Sequence, residues 1–414
     1  MFDKGSIIQY FRQKKGLTQE ELGHGICSKT HLSKIERGLT EVSDETISLL
    51  CARMGFDIDE EIGMLQKVEK MLESLQKLII FQDKEKAHAI ISELEKQEFN
   101  YITPLHIRYL LIKSRQLLLD HQLEDAKKIL FSKEIQNQKI PQLEKNLLNH
   151  TLGIYYIQTY ELHKSIEFLK KVSLESYNNP EIHYHLALAY CHLNAHISSY
   201  HHCQKAKEFF VHTNNYQRLL DTEMIALILL EEETHLLFSE IESRYENLLD
   251  SVRVIKDQER EAFLLHNFAY QLYKFKKYSE ARNFYERALT LAPKEHVNYL
   301  TALFGYMRCL YAGNLADEIT IKGIIKEGIQ EAKIKHLDYY LLLFSLYHYK
   351  LNNDELLYFN YLKDSVLPYL YEVKNKEFFV PLSKEYIQYL ISKNDGHSIL
   401  EFLSIYQINY TLED

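Results

Sequence analysis

Apolar residues recur at helical spacing along most of the chain, and the polar breaks between them are short. Near the start, Ile7, Ile8 and Phe11 mark the inner face of a helix over roughly 6–15. Gly16 ends it after Arg12, Lys14 and Lys15, as a helix C-terminus prefers. Thr18 and Glu21 form a capping box that opens a second, short helix, which Gly23 and Gly25 interrupt. Ile26, Leu32 and Ile35 point back to a common core from a third helix, capped by Ser28 and closed after Arg37 by Gly38. Much later, Leu265, Phe268 and Leu272 surround the small Ala269. Ala281 and Tyr285 follow, Ala288 repeats the small residue, and Pro293 stops the second helix of the pair. Leu152, Gly153, Tyr156, Ser165 and Leu169 reappear as Leu186, Ala187, Tyr190, Ser199 and Cys203, 34 residues apart throughout.

This second pattern is the tetratricopeptide repeat, with Leu265 in the place of the usual tryptophan. Its small residues let two antiparallel helices approach closely, and its large ones fill the gap to the next hairpin. Weaker helix pairs occupy roughly 66–97, 103–132, 217–250, 297–333, 337–371 and 377–408, each around a short polar break. Only 13 Gly and 6 Pro in 414 residues fit long helices joined by short turns. The predicted fold is all-α: an N-terminal five-helix domain, then a right-handed superhelix of about nine tetratricopeptide-like hairpins around a concave surface. The expected divisions are a head over 1–60, a linker helix over 61–72 and the repeats over 73–414. Spacing between the strong units exceeds whole multiples of 34, so some helices must be longer than standard.

Two short helices with a glycine-containing turn place the second of them in the DNA major groove. Its outward residues Ser28, Lys29, Thr30, His31 and Lys34 are the candidate base readers, and Gln19 is placed for a phosphate or base-edge contact. Charge agrees with this placement. From Lys4 to Arg37 seven basic residues face three acidic ones, whereas the whole chain carries 49 basic against 58 acidic. GLTQEEL, ICSKTHLSKIERG and VSDETISLLCARMG, in that order, resemble the Cro/repressor-type helix-turn-helix family over about residues 5–60. The resemblance implies that Arg12 and Glu36 pair with each other inside the domain.

In the repeats, the side of each first helix turned away from its partner should line the concavity. That side carries His266, Asn267, Tyr270 and Lys274 in the strongest unit, and Gln158, Tyr184 and His185 in earlier ones. Asn267 can donate to one backbone carbonyl of an extended peptide and accept from an N–H; the alternative is a hydrogen bond to the neighbouring helix. As a whole, the arrangement resembles the RRNPP group of Gram-positive peptide-pheromone receptors, nearer its NprR-like branch than the shorter PlcR-like one. That resemblance implies a quorum-sensing transcription regulator whose partners are double-stranded DNA, a short signalling peptide and a second copy of itself, with a peptide-dependent tetramer as a further state. It also implies Asn267 as a clamp on the peptide backbone. Two heads would then have to lie about 34 Å apart, or a multiple, to occupy successive major grooves. The segment from Asp57 to Lys70, acidic and then amphipathic through Ile62, Leu65 and Val68, is the expected lever between head and repeats.

Two other classes share this architecture. A Rap-like interaction protein would hold a response regulator, and a phage or mobile-element repressor would share the same build. His192, His196, His201, His202 and Cys203 superficially resemble a metal cluster, but the first step crosses a turn near Asn194 and Cys203 sits at a packing position. No GxxxxGK[ST], GxSxG or HExxH motif occurs, so no enzyme activity, cofactor or metal is expected. Five scattered cysteines without CxxC spacing, no signal peptide and no long apolar run lead to the expectation of a cytoplasmic protein without disulfides or membrane contact.

Overall fold

The computed structural model describes residues 2–136, 140–233, 238–294, 297–352, 354–373 and 375–406. Among them every regular element is helical. The head begins with α1 (Lys4–Lys14), α2 (Gln19–Gly23), α3 (Lys29–Glu36) and α4 (Asp44–Met54), followed by α5 (Ile58–Ile80). Each starts at a side chain that accepts a backbone N–H: Asp3, Thr18, Ser28, Ser43 and Asp57. The Thr18–Glu21 capping box is complete in both directions. Ile7, Ile8, Leu22, Leu32 and Leu50 close a core with no solvent exposure. Helices α1 and α3 meet so closely that a Cβ on Gly5 would fall 2.0 Å from the Ile35 carbonyl oxygen, which fixes glycine there.

Helix α5 does more than finish the head. Ile58 packs near its start, and Leu65, Val68, Leu72, Leu75 and Ile79 continue one buried stripe along its length. It therefore runs unbroken across both the 60/61 and the 72/73 positions.

The chain divides into two compact units, 1–234 and 235–414. In the first, α5 pairs with α6 (Lys84–Leu94), and α7 (Thr103–Leu119) with α8 (Leu123–Leu130). The short α9 (Lys133–Gln136) leads to the pair α10 (Gln142–Gln158) and α11 (Leu162–Lys170). The short α12 (Leu174–Tyr177) precedes α13 (Ile182–His192) and α14 (His196–His212), and α15 (Tyr216–Glu233) ends the unit. The second unit opens with α16 (Phe238–Val254). The pairs α17 (Gln258–Lys274) with α18 (Tyr278–Leu291) and α19 (Val297–Ala312) with α20 (Glu318–Ile334) follow. Helix α21 (Asp338–Leu351) then precedes α22 (Glu355–Tyr361), a π-turn over Leu362–Val366 and α23 (Leu367–Glu372); α24 (Lys376–Ser392) and α25 (Gly396–Tyr406) complete the unit. Eight hairpins are thus complete among the described residues. The residues beyond the 34-residue period go partly into α9 and α12 and partly into long helices such as α14.

Within each unit the first helix of a hairpin packs on its own partner and on the first helix of the next hairpin, α7 on α10, α10 on α13, α17 on α19. First helices thereby form a layer of their own. The repeat positions hold at atomic level: Ser165 Oγ donates to the Gly153 carbonyl at 2.8 Å, and 34 residues on Ser199 Oγ donates to the Ala187 carbonyl at 2.7 Å. Leu265, Phe268, Ala269, Leu272, Ala281, Tyr285 and Ala288 are all buried. Few glycines are needed because other residues take the left-handed conformation at the turns, among them Gln82, His121, Tyr160, Asn194, Lys276 and Asn394. No helix among the described residues is long and apolar enough to cross a membrane.

Candidate functional site

The recognition surface of the head is built by two caps and one ion pair. Glu36, almost fully buried, accepts from Arg12 Nε at 2.5 Å and Arg12 Nη2 at 3.0 Å, while Arg12 Nη1 donates to the Leu17 carbonyl at 2.8 Å. Gln19 Nε2 donates to the same carboxylate at 2.7 Å. This network ties α1, the start of α2 and the end of α3 into one angle. Gln19 thereby spends one of its two amide N–H groups inside the domain, leaving the other and its carbonyl oxygen for a partner. Ser28 Oγ accepts from the His31 N–H and so starts α3. Lys29, Thr30, His31 and Lys34 are exposed, and none of their side chains has a hydrogen-bond or ion-pair partner among the described residues. They form a short polar and basic face at the N-terminal half of α3.

The head is joined to the repeats by more than α5. Tyr10 on α1 stacks on Tyr101, in the α6–α7 connector, with ring centroids 4.0 Å apart and planes within 12°. Phe11 stacks on Phe56 and meets the edge of Tyr101. The Tyr10 hydroxyl and Lys14 both bond to Glu98, and the Tyr101 hydroxyl to Glu61 on α5. Lys14 and Tyr10 together hold the Glu98 carboxyl below its ordinary range. The face that docks is thus α1, opposite in role to the α3 face left open.

In the first unit the layer of first helices is closed by charge. Glu181, at the start of α13, accepts from Arg115 on α7 and from Arg218 on α15, the latter at 3.4 Å. Burial alone would raise the Glu181 pKa; Arg115, with His185 and Arg218 beside it, holds it below the carboxylate range. His150 Nε2 lies 3.0 Å from His185 Nδ1, and His150 Nδ1 lies 3.1 Å from the Tyr177 hydroxyl. Burial keeps both imidazoles neutral, with His185 pushed down to about 3. The expectation that His185 lines an open concavity is therefore corrected: it is 4% exposed and engaged. Tyr184 lies under the Arg218 guanidinium at 4.6 Å, and Gln158 donates to the Leu118 carbonyl at 2.9 Å, at the far end of α10. His150, Glu181 and His185 place possible ligand atoms within 4.8 Å of one another, but both Glu181 oxygens already serve guanidinium groups, which would repel a cation.

The second unit differs. Asn267 on α17 is half-buried and has no hydrogen bond among the described residues. Tyr270, one turn on, donates to Glu377 at 2.7 Å, and Lys274 lies over the Tyr270 ring at 5.1 Å. His266 packs against Tyr285 with centroids 5.6 Å apart, and burial, with Arg308 nearby, pushes it down to about 4. His266 thus packs inward on Tyr285 with its Nδ1 sealed from solvent, which corrects its place among the exposed lining residues. Sequence reasoning missed Arg115, Glu181, Arg218 and Arg308. The available signal was a charged residue inside an otherwise apolar helix, as in LLIKSRQLLL and FGYMRCLY.

The helix-turn-helix family model matches residues 8–60. The transcriptional activator NprA of Geobacillus stearothermophilus is 23% identical over 379 residues, covering 86% of this chain and 90% of NprA. The apo form of the quorum sensor NprR from B. thuringiensis superposes with a TM-score of 0.65 at 20% identity, covering 84% of this chain and 99% of that one. NprR in complex with its cognate peptide NprX gives 0.63 at 20% identity, over 79% of this chain and 99% of that one. A Rap protein complexed with Competence and Sporulation Factor gives 0.65 at 19%, over 81% and 99%. The solved structures establish the shared fold. The family match identifies the head as a helix-turn-helix domain, and the chain is similar to NprA over most of its length.

Proposed function

We propose that this chain is a quorum-sensing transcription regulator. It binds operator DNA through α3, and a short signalling peptide held by the first helices of its repeats switches it. The observation that carries the reading is the coexistence of an open α3 face with an α1 face bonded to the repeats through Tyr10, Lys14, Glu98 and Tyr101. A change in the repeats would reach the head through that joint and through α5. Lys29, Thr30, His31 and Lys34 would read base edges, and Asn267, Tyr270 and Lys274 would hold the peptide. The regulator would work as a homodimer, with no catalysis of its own. Peptide occupancy shifts operator affinity only as far as the peptide prefers one state. Asn267→Ala tests the reading: peptide response should be lost while basal DNA binding stays, and equal loss of both would make the residue structural.

Likeness to the Rap structure supports a second reading, in which the repeats sequester a response regulator and the head is secondary. Deleting residues 1–60 separates the two. Survival of the phenotype would favour sequestration.

A further inference from the structure

The two units treat their inner-layer arginines differently. In the first, Arg115 and Arg218 share the carboxylate of Glu181. In the second, Arg308 on α19 has no carboxylate within ion-pair distance among the described residues. Aromatic rings hold it instead: its guanidinium lies 4.9 Å from the Tyr273 centroid, 4.8 Å from Phe378 and 5.7 Å from Phe304. The carboxylate of Glu377 is close enough to contribute to its field, yet it bonds to Tyr270. Cation–π contacts satisfy a guanidinium's charge only in part and none of its hydrogen-bond donors.

A second observation coincides with the first. Arg308 Nε, His266 Nδ1 and Tyr285 Oη are all sealed from solvent with no hydrogen-bond partner among the described residues. His266 and Tyr285 are ring neighbours, and both feel the Arg308 charge. The first unit also leaves Arg115 Nε, Arg115 Nη1 and Arg218 Nε unmet, but beside the Glu181 carboxylate that answers their charge. In the second unit no carboxylate among the described residues pairs with Arg308, so its unmet donor, with the unmet atoms of His266 and Tyr285, marks a place for an anionic partner. The arginine's donors select an anion, and their planar fork fits a carboxylate.

We propose that Arg308 is the carboxylate anchor of the peptide site. It takes either the C-terminal carboxylate of the bound peptide or an aspartate or glutamate side chain, with apolar parts of the same peptide against the half-buried Phe378. This rests on the peptide-receptor reading above and adds to it the chemical class of the ligand.

The test uses full-length protein and mixed-sequence pools of short synthetic peptides in four forms: free acid or C-terminal amide, each with or without Asp and Glu. Peptides retained through gel filtration are measured by mass spectrometry. Wild type should retain peptides from every form that carries a carboxylate of the right source and none from the amide pool lacking acidic residues. Retention of the free acids without Asp or Glu identifies the C-terminus; retention of acidic amides identifies a side chain. Arg308→Gln should weaken retention roughly 10- to 100-fold, the range of a charge-assisted pair, and Arg308→Lys should restore part of it. Equal retention of the carboxylate-free pool, or of all pools by a folded Arg308→Gln variant, would overturn the anchor while leaving the receptor reading standing. Retention from no pool would overturn both. The wild-type comparison among pools stands even where a variant fails to fold.

Discussion

Removing Tyr101 should uncouple the head from the repeats without unfolding either. Tyr101 is half-buried, stacks on Tyr10, touches the edge of Phe11 and donates to Glu61. Partial burial of an aromatic side chain contributes about 1–1.5 kcal/mol, by scaling the full-burial value. Its ring contacts add about 0.5–1.5 kcal/mol, and a hydrogen bond to a carboxylate roughly 1 kcal/mol in this semi-exposed setting. Tyr101→Ala therefore costs docking roughly 2–4 kcal/mol, a shift of about 30- to 1,000-fold between docked and undocked heads. Ile7, Ile8, Leu22 and Leu32 keep the head core intact, and α5 keeps it attached. Hydrogen exchange measured by mass spectrometry should show lost protection at the second half of α1 and across 95–102, with little change in α3. Operator binding should survive while its response to peptide falls. Tyr101→Phe, which retains the stack, should lose only the hydrogen-bond part. Unchanged protection in α1, or an undiminished response despite lost protection, would refute the role given to this joint.

Lys29→Ala and His31→Ala should each weaken sequence discrimination by roughly 1–3 kcal/mol in operator binding; a loss uniform across sequences would assign them to phosphate. Ser28→Ala should instead lower head stability by about 1 kcal/mol through loss of the α3 cap, seen as a lower melting temperature. Acid should destabilise the fold early. His185 and His266, at about 3 and about 4 when folded against about 6.5 unfolded, leave the folded state with fewer protons as pH falls below 6.5. Stability present above pH 6.5 is then lost toward those values, by about 2 kcal/mol per histidine at pH 5. A urea midpoint unchanged between pH 7.5 and pH 5 would contradict this. Lys276→Gly relieves an exposed left-handed turn and should raise stability by about 1 kcal/mol in the same assay.

Local chemistry was the most readable part of the sequence. The caps at Thr18 and Ser28, the stop at Gly38 and the small-residue spacing around Ala269 each depend on residues a few positions apart, and each stands where its pattern placed it. The Arg12–Glu36 pair spans 24 residues and came only through family resemblance. The joint of Tyr10 and Lys14 with Glu98 spans more than 80 residues and joins two elements whose own patterns say nothing of each other. Gln82, His121 and Lys276 at left-handed turns were equally hidden, since those residue types carry no strong turn signal. The inner-layer residues fared worst. Helical spacing gives the side of a helix, but not that His185 is sealed by His150 or that Gln158 is spent on Leu118.

In the proposed function, operator and peptide bind at separate sites of one chain and bias the same equilibrium. Operator duplexes selected from a random pool by the full-length protein should be titrated with and without peptides that the protein retains. Peptide should change operator affinity or oligomeric state, and operator should change peptide affinity by the same factor. Binding of both with neither affinity nor assembly altered would contradict it.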